Sequence, residues 1–315
     1  MSTPHTANTS PATAAASRRR TRNGLLASIG CSMLWGVLPI YWNQLSGSSF
    51  VEIIGHRMFW SAVLLLVVSS LFAKADLRSL LRQRRAWRIL GSAGLIITGI
   101  SLLYVYMVIS GRIVEAALAY YINPLTNILF GAIFFRERLK PLEAAATVLA
   151  LVGVLYFTVD YGHFPAFSII LAVITTLYAA IKKTGGYPVL PAMTMESTLM
   201  LPVAIGLLAA TFILPGQTFM VFDGPSGFAG GMRTTLLLIG GGAAITLPYL
   251  LYSKAANDIS LTWMGFTQYI EPTLTLLIGV FLYGEAFTQA HLVCFVCIWA
   301  GLLLVSLQML RRSSG

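Results

Sequence analysis

The sequence predicts an all-α integral membrane protein with ten transmembrane helices arranged as two inverted five-helix repeats. Three observations carry this prediction. Of 315 residues, 57% are hydrophobic and only 10% are charged, against roughly 25% charged in a soluble domain. The apolar residues gather in ten runs near the ~20 residues that a helix needs to cross a hydrocarbon core of ~30 Å. The chain also matches itself at an offset of 148 residues. With 21 Lys plus Arg and 11 Asp plus Glu, no large soluble surface can be built. That excludes an ordinary soluble enzyme or a two-domain receptor, and it makes nucleic-acid binding a poor account of the net charge of +10.

Residues 1–23 are rich in Ser, Thr, Ala and Pro and end in Arg18, Arg19, Arg20 and Arg22, the composition of a disordered cytoplasmic tail. A basic stretch before an apolar one can open a signal peptide. Here no A-x-A site follows and the apolar run continues to Trp42, so cleavage is not expected. The spans that follow cover about 24–45, 51–73, 89–110, 113–135, 142–160, 165–182, 189–214, 231–254, 261–283 and 290–310. Lengths near 20 exclude barrel strands of about ten residues, and only helices satisfy their own backbone groups in lipid. Residues 24–160 then form the first five-helix unit and 165–310 the second.

Basic residues set the orientation, because Lys and Arg near span ends stay on the cytoplasmic side. With the tail inside, 18 of the 21 basic residues lie in inner segments, while Arg112 and Arg233 fall in outer loops and Arg57 lies within the second span. Both termini are therefore expected in the cytoplasm.

At the offset of 148, Leu102, Leu103 and Tyr104 fall on Leu250, Leu251 and Tyr252, and Tyr121, Ile122 and Pro124 fall on Tyr269, Ile270 and Pro272. Gly131 and Glu137 fall on Gly279 and Glu285. Spans three and four thus lie upon spans eight and nine, so each unit has five spans and the second enters the membrane upside down. Two related halves of opposite topology can exchange conformations, which is how many alternating-access carriers are built, with the site near midplane between them.

Several stretches carry a family resemblance: Leu34-Trp35-Gly36 with Pro39 and Tyr41-Trp42, Glu52-Ile53 with His56-Arg57 and Trp60-Ser61, Glu115-Ala116, Tyr121-Ile122-Asn123-Pro124-Leu125, and Gln268-Tyr269-Ile270-Glu271-Pro272-Thr273. Together they resemble the RarD branch of the drug/metabolite transporter superfamily, whose two five-helix units are of EamA type. The resemblance covers about residues 24–310. It implies a ten-helix carrier of the bacterial inner membrane in a family associated by name with chloramphenicol sensitivity.

Polar residues within spans nominate the pathway, since an ionisable group in hydrocarbon costs ~2.5–3.5 kcal/mol on insertion scales. Glu271, near the middle of span nine, shares a helical face with Gln268 and Thr275, beside Pro272. Shifted by 148, that face becomes Tyr120, Asn123 and Asn127 beside Pro124. The competing reading is that Asn123 and Glu271 brace helices broken at Pro124 and Pro272. Span two carries Glu52, His56 and Arg57, with Glu52 and His56 on one face; Arg57 suits an anionic or carbonyl group and His56 a change of protonation between pH 5 and 8. Snorkelling to the outer interface is the alternative for this cluster. Trp35, Tyr121 and Tyr269 lie too deep for an interfacial belt and, with Tyr104, are candidates to line a path for a flat amphiphilic solute. Tyr41, Trp42 and Tyr283 suit the belt.

His291, Cys294 and Cys297 lack a fourth ligand nearby and read as helix residues, so no metal is expected. No phosphate-binding glycine loop or nucleophile motif is present, which argues against an enzyme, an ATP-driven pump or a bound cofactor. The expected partners are a small-molecule substrate and the lipid bilayer, with a homodimer left open and no nucleic acid. The resulting reading is a secondary transporter in the plasma membrane that exports a small amphiphilic metabolite or drug-like molecule by alternating access, with proton coupling through Glu271. A non-transporting membrane sensor or assembly protein of the same fold is the alternative.

Overall fold

The computed structural model describes residues 11–134, 141–162, 164–213, 231–259, 264 and 267–313. The basic loop at 136–140, with Glu137, and the loop around Asp223 lie outside the described residues. Every regular element among the described residues is a helix.

Helix α1 (Pro11–Gly36) begins well before residue 24, so this part of the expected tail is helical. Arg20 ties this stretch to a distant part of the chain: its Nε donates to Asp258 Oδ1 at 3.0 Å and its Nη2 to the Asn257 carbonyl at 2.5 Å. The helix ends where Pro39, which has no N–H to donate, cannot continue its ladder. After one turn residue, Val37, the chain restarts as the short α2 (Leu38–Asn43), and Arg19–Asn43 remains one candidate span. Helices α3 (Phe50–Phe72), α4 (Lys74–Leu81) and α5 (Arg84–Ile109) follow. The turn after α5 needs Gly111 at φ +67°, and the amides of Arg112 and Gly111 fold back on the carbonyls of Met107 and Val108, a left-handed stop that a residue with a Cβ adopts poorly. Helices α6 (Ile113–Phe134), α7 (Pro141–Tyr161) and α8 (Ala166–Gly185) come next. Helices α9 (Val189–Leu199) and α10 (Leu201–Ile213) meet at a bend of 41°. Then come α11 (Gly231–Asp258), α12 (Ile270–Leu277), a π-helical turn at Ile278–Leu282 and α13 (Gln289–Ser313).

Among the described residues, four helices are long and apolar enough to cross a membrane, or five if α9 and α10 form one bent span. Shorter apolar helices lie at Ala144–Asp160, Ala166–Lys182, Ile270–Leu282 and Gln289–Leu304. The outer surface carries large apolar side chains that water would not tolerate in such number, including Val159 at 84% exposure and Phe72 at 80%. These suit contact with lipid.

Packing runs mainly between the first and second halves of the chain. Helix α1 lies on α11 and α12, while α8 lies on α5 and α6; α3 packs on α11, and α5 on α9. Four further contacts join α3 to α9, α3 to α10, α6 to α12, and α7 to α13. Glycine permits the closest of these crossings. A Cβ at Gly242 would come within 2.5 Å of the Trp60 backbone carbonyl carbon, so α11 and α3 approach backbone to backbone. Two apolar clusters result. One joins α2, α3, α5 and α6 around Trp42, Ile53, Ile54 and Met107; the other joins α6, α7, α12 and α13 around Tyr121, Phe157 and Phe295.

Candidate functional site

The N-terminal turns of α3 bring Glu52, His56 and Arg57 inside the protein, all three buried. Trp60 donates its indole N–H to His56 Nδ1 at 3.2 Å, and His56 Nε2 lies 4.0 Å from Glu52 Oε1. With Nδ1 accepting, the neutral ring carries its proton on Nε2, toward Glu52. Arg57 does not snorkel. It is 8% exposed, and its guanidinium carbon lies 6.0 Å from the centre of the Trp42 ring. Trp42 is itself only 1% exposed. The belt position expected for it is therefore wrong: the indole packs in the core cluster with Leu45, Ile53 and Ile54. Tyr41 is likewise tied down, its hydroxyl donating to the Leu237 carbonyl of α11.

Glu271 stands in the first turn of α12, half-buried, and its carboxylate makes no hydrogen bond or ion pair among the described residues. Three tyrosines, Tyr104 of α5, Tyr120 of α6 and Tyr249 of α11, lie within electrostatic reach of both Glu271 and Arg57. Tyr104 meets Tyr120 edge to face at 5.8 Å. Trp35 packs edge-on against Tyr249 at 5.3 Å and against Tyr252 at 6.0 Å. Helices from both halves thus gather an arginine, a carboxylate and an aromatic wall.

The remaining nominated residues do not join this group. Tyr121 points into the other apolar cluster, its hydroxyl 2.6 Å from Thr273 Oγ1 and its ring edge-on to Phe295 and Trp299. Tyr269 packs on the same cluster. Asn123 accepts from Thr176 Oγ1 at 3.0 Å, and Thr176 also meets Thr126 at 2.6 Å, so Asn123 braces α6 against α8. Gln268 is exposed. Pro124 does not interrupt α6, which runs through residue 124, whereas helical residues 267 and 268 give way to a turn at Tyr269 before α12 begins, so Pro272 stands just past a break, as Pro39 does.

One buried ionic group escaped the sequence reading. Glu196 of α9, 2% exposed, accepts from Lys182 Nζ of α8 at 2.6 Å and from the Tyr178 hydroxyl at 2.8 Å. The rule that an acid inside a span is functional or paired would have found it. Among the described residues no cluster of three His, Cys, Asp or Glu could hold a metal ion.

Known proteins are similar to this chain over nearly its whole length. The EamA-like transporter family profile matches residues 22–159. An uncharacterized transporter, YojE of Bacillus subtilis, is 33% identical, with 92% of this chain and 96% of that protein covered. Protein RarD of Escherichia coli is 32% identical over 90% of this chain and 94% of its own length. The chloramphenicol-sensitive protein RarD of Pseudomonas aeruginosa is 28% identical, covering 92% and 97%. A crystal structure with 17% identity superposes at a TM-score of 0.57, covering 91% of this chain and 98% of its own, and supports the fold alone. The all-helical packing, the lipid-suited surface and this full-length similarity have one reading: the chain is a multi-pass membrane transporter that belongs to the EamA-like family, in its RarD-type branch.

Proposed function

We propose that the protein is a secondary carrier that exports a small amphiphilic solute across the bacterial inner membrane by alternating access, with both termini in the cytoplasm. Its ten spans form two inverted repeats, 24–160 and 165–310, and Glu271 couples solute exit to proton entry. The observation that carries this reading is the convergence of Arg57 and Glu271, from opposite halves, on the same three tyrosines. The helix pairings support the repeat. Exchanging each span for its counterpart turns the contact of α1 with α11 into that of α8 with α5, and the contact of α3 with α11 into that of α9 with α5. A pseudo-twofold requires such exchange. A carboxylate lacking a salt-bridge partner at such a junction can load and release a proton as it faces the two sides in turn.

Proteoliposomes test this. Wild-type protein should move a labelled amphiphile against its gradient when a proton gradient is imposed. Glu271→Gln keeps shape and polarity but removes titration, so it should lose driven accumulation while retaining exchange of labelled for unlabelled solute. Unchanged pH dependence of uptake in Glu271→Gln vesicles would remove Glu271 from the coupling step.

A further inference from the structure

Three buried donors around Arg57 have no acceptor. Nε and Nη1 of Arg57 and Nε1 of Trp42 are each closed off from solvent without a hydrogen-bond partner. They belong to side chains 8% and 1% exposed, whose guanidinium and indole lie 6.0 Å apart, carbon to ring centre. Nearly every buried polar group in a folded protein is paired, and an unmet donor costs ~1–3 kcal/mol, more when charged. The deficit here is one-sided. All three atoms are donors, one group is a permanent cation, and no carboxylate forms an ion pair with Arg57 among the described residues. Glu52, one turn away, leans on His56 instead. Nε and Nη1 face different sides of the guanidinium, each sharing a fork with Nη2; a neutral polar group could satisfy one donor, whereas a planar oxyanion can take one such fork, accept the indole N–H and cancel the charge.

The surroundings limit what the anion is attached to. Gly241 of α11 closes one side, where an added Cβ would touch the Trp42 ring at 3.4 Å and the Arg57 Cα at 3.9 Å. Tyr104, which meets Tyr120 edge to face at 5.8 Å, belongs with Tyr120 and Tyr249 to the same apolar cluster as Trp42, and all three tyrosines lie within electrostatic reach of Arg57. A flat apolar body extending from the anion toward α12 would meet rings, with tyrosine hydroxyls at its edges.

We infer that Arg57 and Trp42 form the anion-binding end of the substrate site, and that the cargo class is an aromatic carboxylate whose carboxyl group docks on the guanidinium and the indole N–H. This rests on the carrier reading above and makes it specific. Trp42 is thereby a substrate-specificity residue and not an interfacial anchor.

The test is binding to the full-length protein in lipid nanodiscs by equilibrium dialysis. The probes are benzoate, phenylacetate, 3-phenylpropionate and indole-3-acetate, each beside its neutral amide. In the wild type at least one carboxylate should bind saturably and about tenfold or more tighter than its amide, the scale of a charge-assisted hydrogen bond. Arg57→Gln should abolish that preference, Arg57→Lys should leave a reduced one because the charge stays and the fork is lost, and Trp42→Phe should weaken the carboxylate alone, by several-fold. Unchanged elution and helix content of each variant show that the fold is kept. Saturable binding by none of the four carboxylates, equal affinity for acids and amides, or a preference that survives Arg57→Gln would each overturn the proposal. Counterflow in proteoliposomes separates this from the carrier reading. Transport of neutral solutes without an Arg57-dependent acid preference would sink only the cargo class, and acid binding with no transport of any probe would sink only the carrier.

Discussion

Glu285 holds the first turn of α6 from across the molecule: its Oε1 accepts the Ile113 amide at 2.7 Å and its Oε2 the Val114 amide at 2.8 Å. These are amides that the helix itself leaves unpaired, and a carboxylate also suits the positive end of the helix dipole. Gly284, at φ +65°, turns the chain so that the next side chain can reach.

Removing this clasp should loosen the junction between α6 and the end of α12. Glu285→Ala is expected to cost ~1–3 kcal/mol, since two partly buried donors lose their acceptor. Glu285→Gln, which keeps one carbonyl oxygen, should fall between it and the wild type. Thermal unfolding in detergent, followed by the far-ultraviolet helix signal, measures both.

The glycine crossings give a prediction with its own control. Gly242→Ala would push a methyl carbon to 2.5 Å from the Trp60 backbone, which no rotamer change relieves. A loss of ~1–3 kcal/mol is expected, as for other overpacked sites. A Cβ at Gly99 would meet nothing within 4 Å. Gly99→Ala should therefore leave stability unchanged or raise it by ~1 kcal/mol through helix propensity. Equal effects of the two substitutions on the unfolding midpoint would contradict the packing account.

The Lys182–Glu196 pair should be more sensitive to loss of one partner than of both. Lys182→Met strands a carboxylate that is 2% exposed, and breaking such a pair typically costs ~3–5 kcal/mol. The double variant Lys182→Met, Glu196→Leu should recover most of that loss. A double-mutant cycle on unfolding midpoints reads the coupling, and additivity would show the pair to be energetically idle.

Hydrogen bonds from Lys254 and Arg20, together with their charge, hold the Asp258 carboxyl below the usual carboxylate range. A depressed folded-state value means that the tether of α1 to α11 is fully present above the unfolded-chain pKa, roughly 4, and is lost as pH falls through the lower folded value. Midpoint against pH should therefore drop more steeply below about pH 4 in the wild type than in Asp258→Asn. Because the site is exposed the difference should be small, and it should shrink as salt is added.

Reporter fusions decide topology. Tags after Gly315 and near Arg82 should report cytoplasm, and one near Asp223 the outside. An outside Gly315 would remove the inverted-repeat arrangement.

Much of this protein was legible as a string of residues, and the misses share a cause. Composition and run length identify a helical membrane protein because lipid tolerates no other open backbone arrangement. The face of Glu52, His56 and Arg57 was visible because a charge inside a span is costly enough to stand out. Trp42 was misjudged because a place near the end of an apolar run does not show which neighbours will cover the ring, here Gly241 of α11 and the cluster around Ile53. Tyr104 and Tyr121 looked equivalent, yet they serve different clusters: in a helix apolar on every side, periodicity does not say which face meets the path. Glu196 was overlooked although an acid inside a span is costly enough to stand out; what no local pattern showed is that Lys182 of the preceding span would meet it. Glu285 was noticed in the internal match, but its work on Ile113 is a contact between residues 172 positions apart, which no local pattern encodes.

The packing of α1 carries a consequence for how the protein is made. Its inner face rests on α11 and α12, and its Ser28 pairs with Thr267, which lies 239 residues later. At a translation rate of ~5–20 residues per second, that partner follows by about ten seconds or more. Through that interval the newly inserted helix has only lipid or the insertion machinery against its small residues. Its final seating is therefore among the last events of biogenesis, and a ribosome that stops after α7 leaves a fragment whose first helix has lost its principal docking partners.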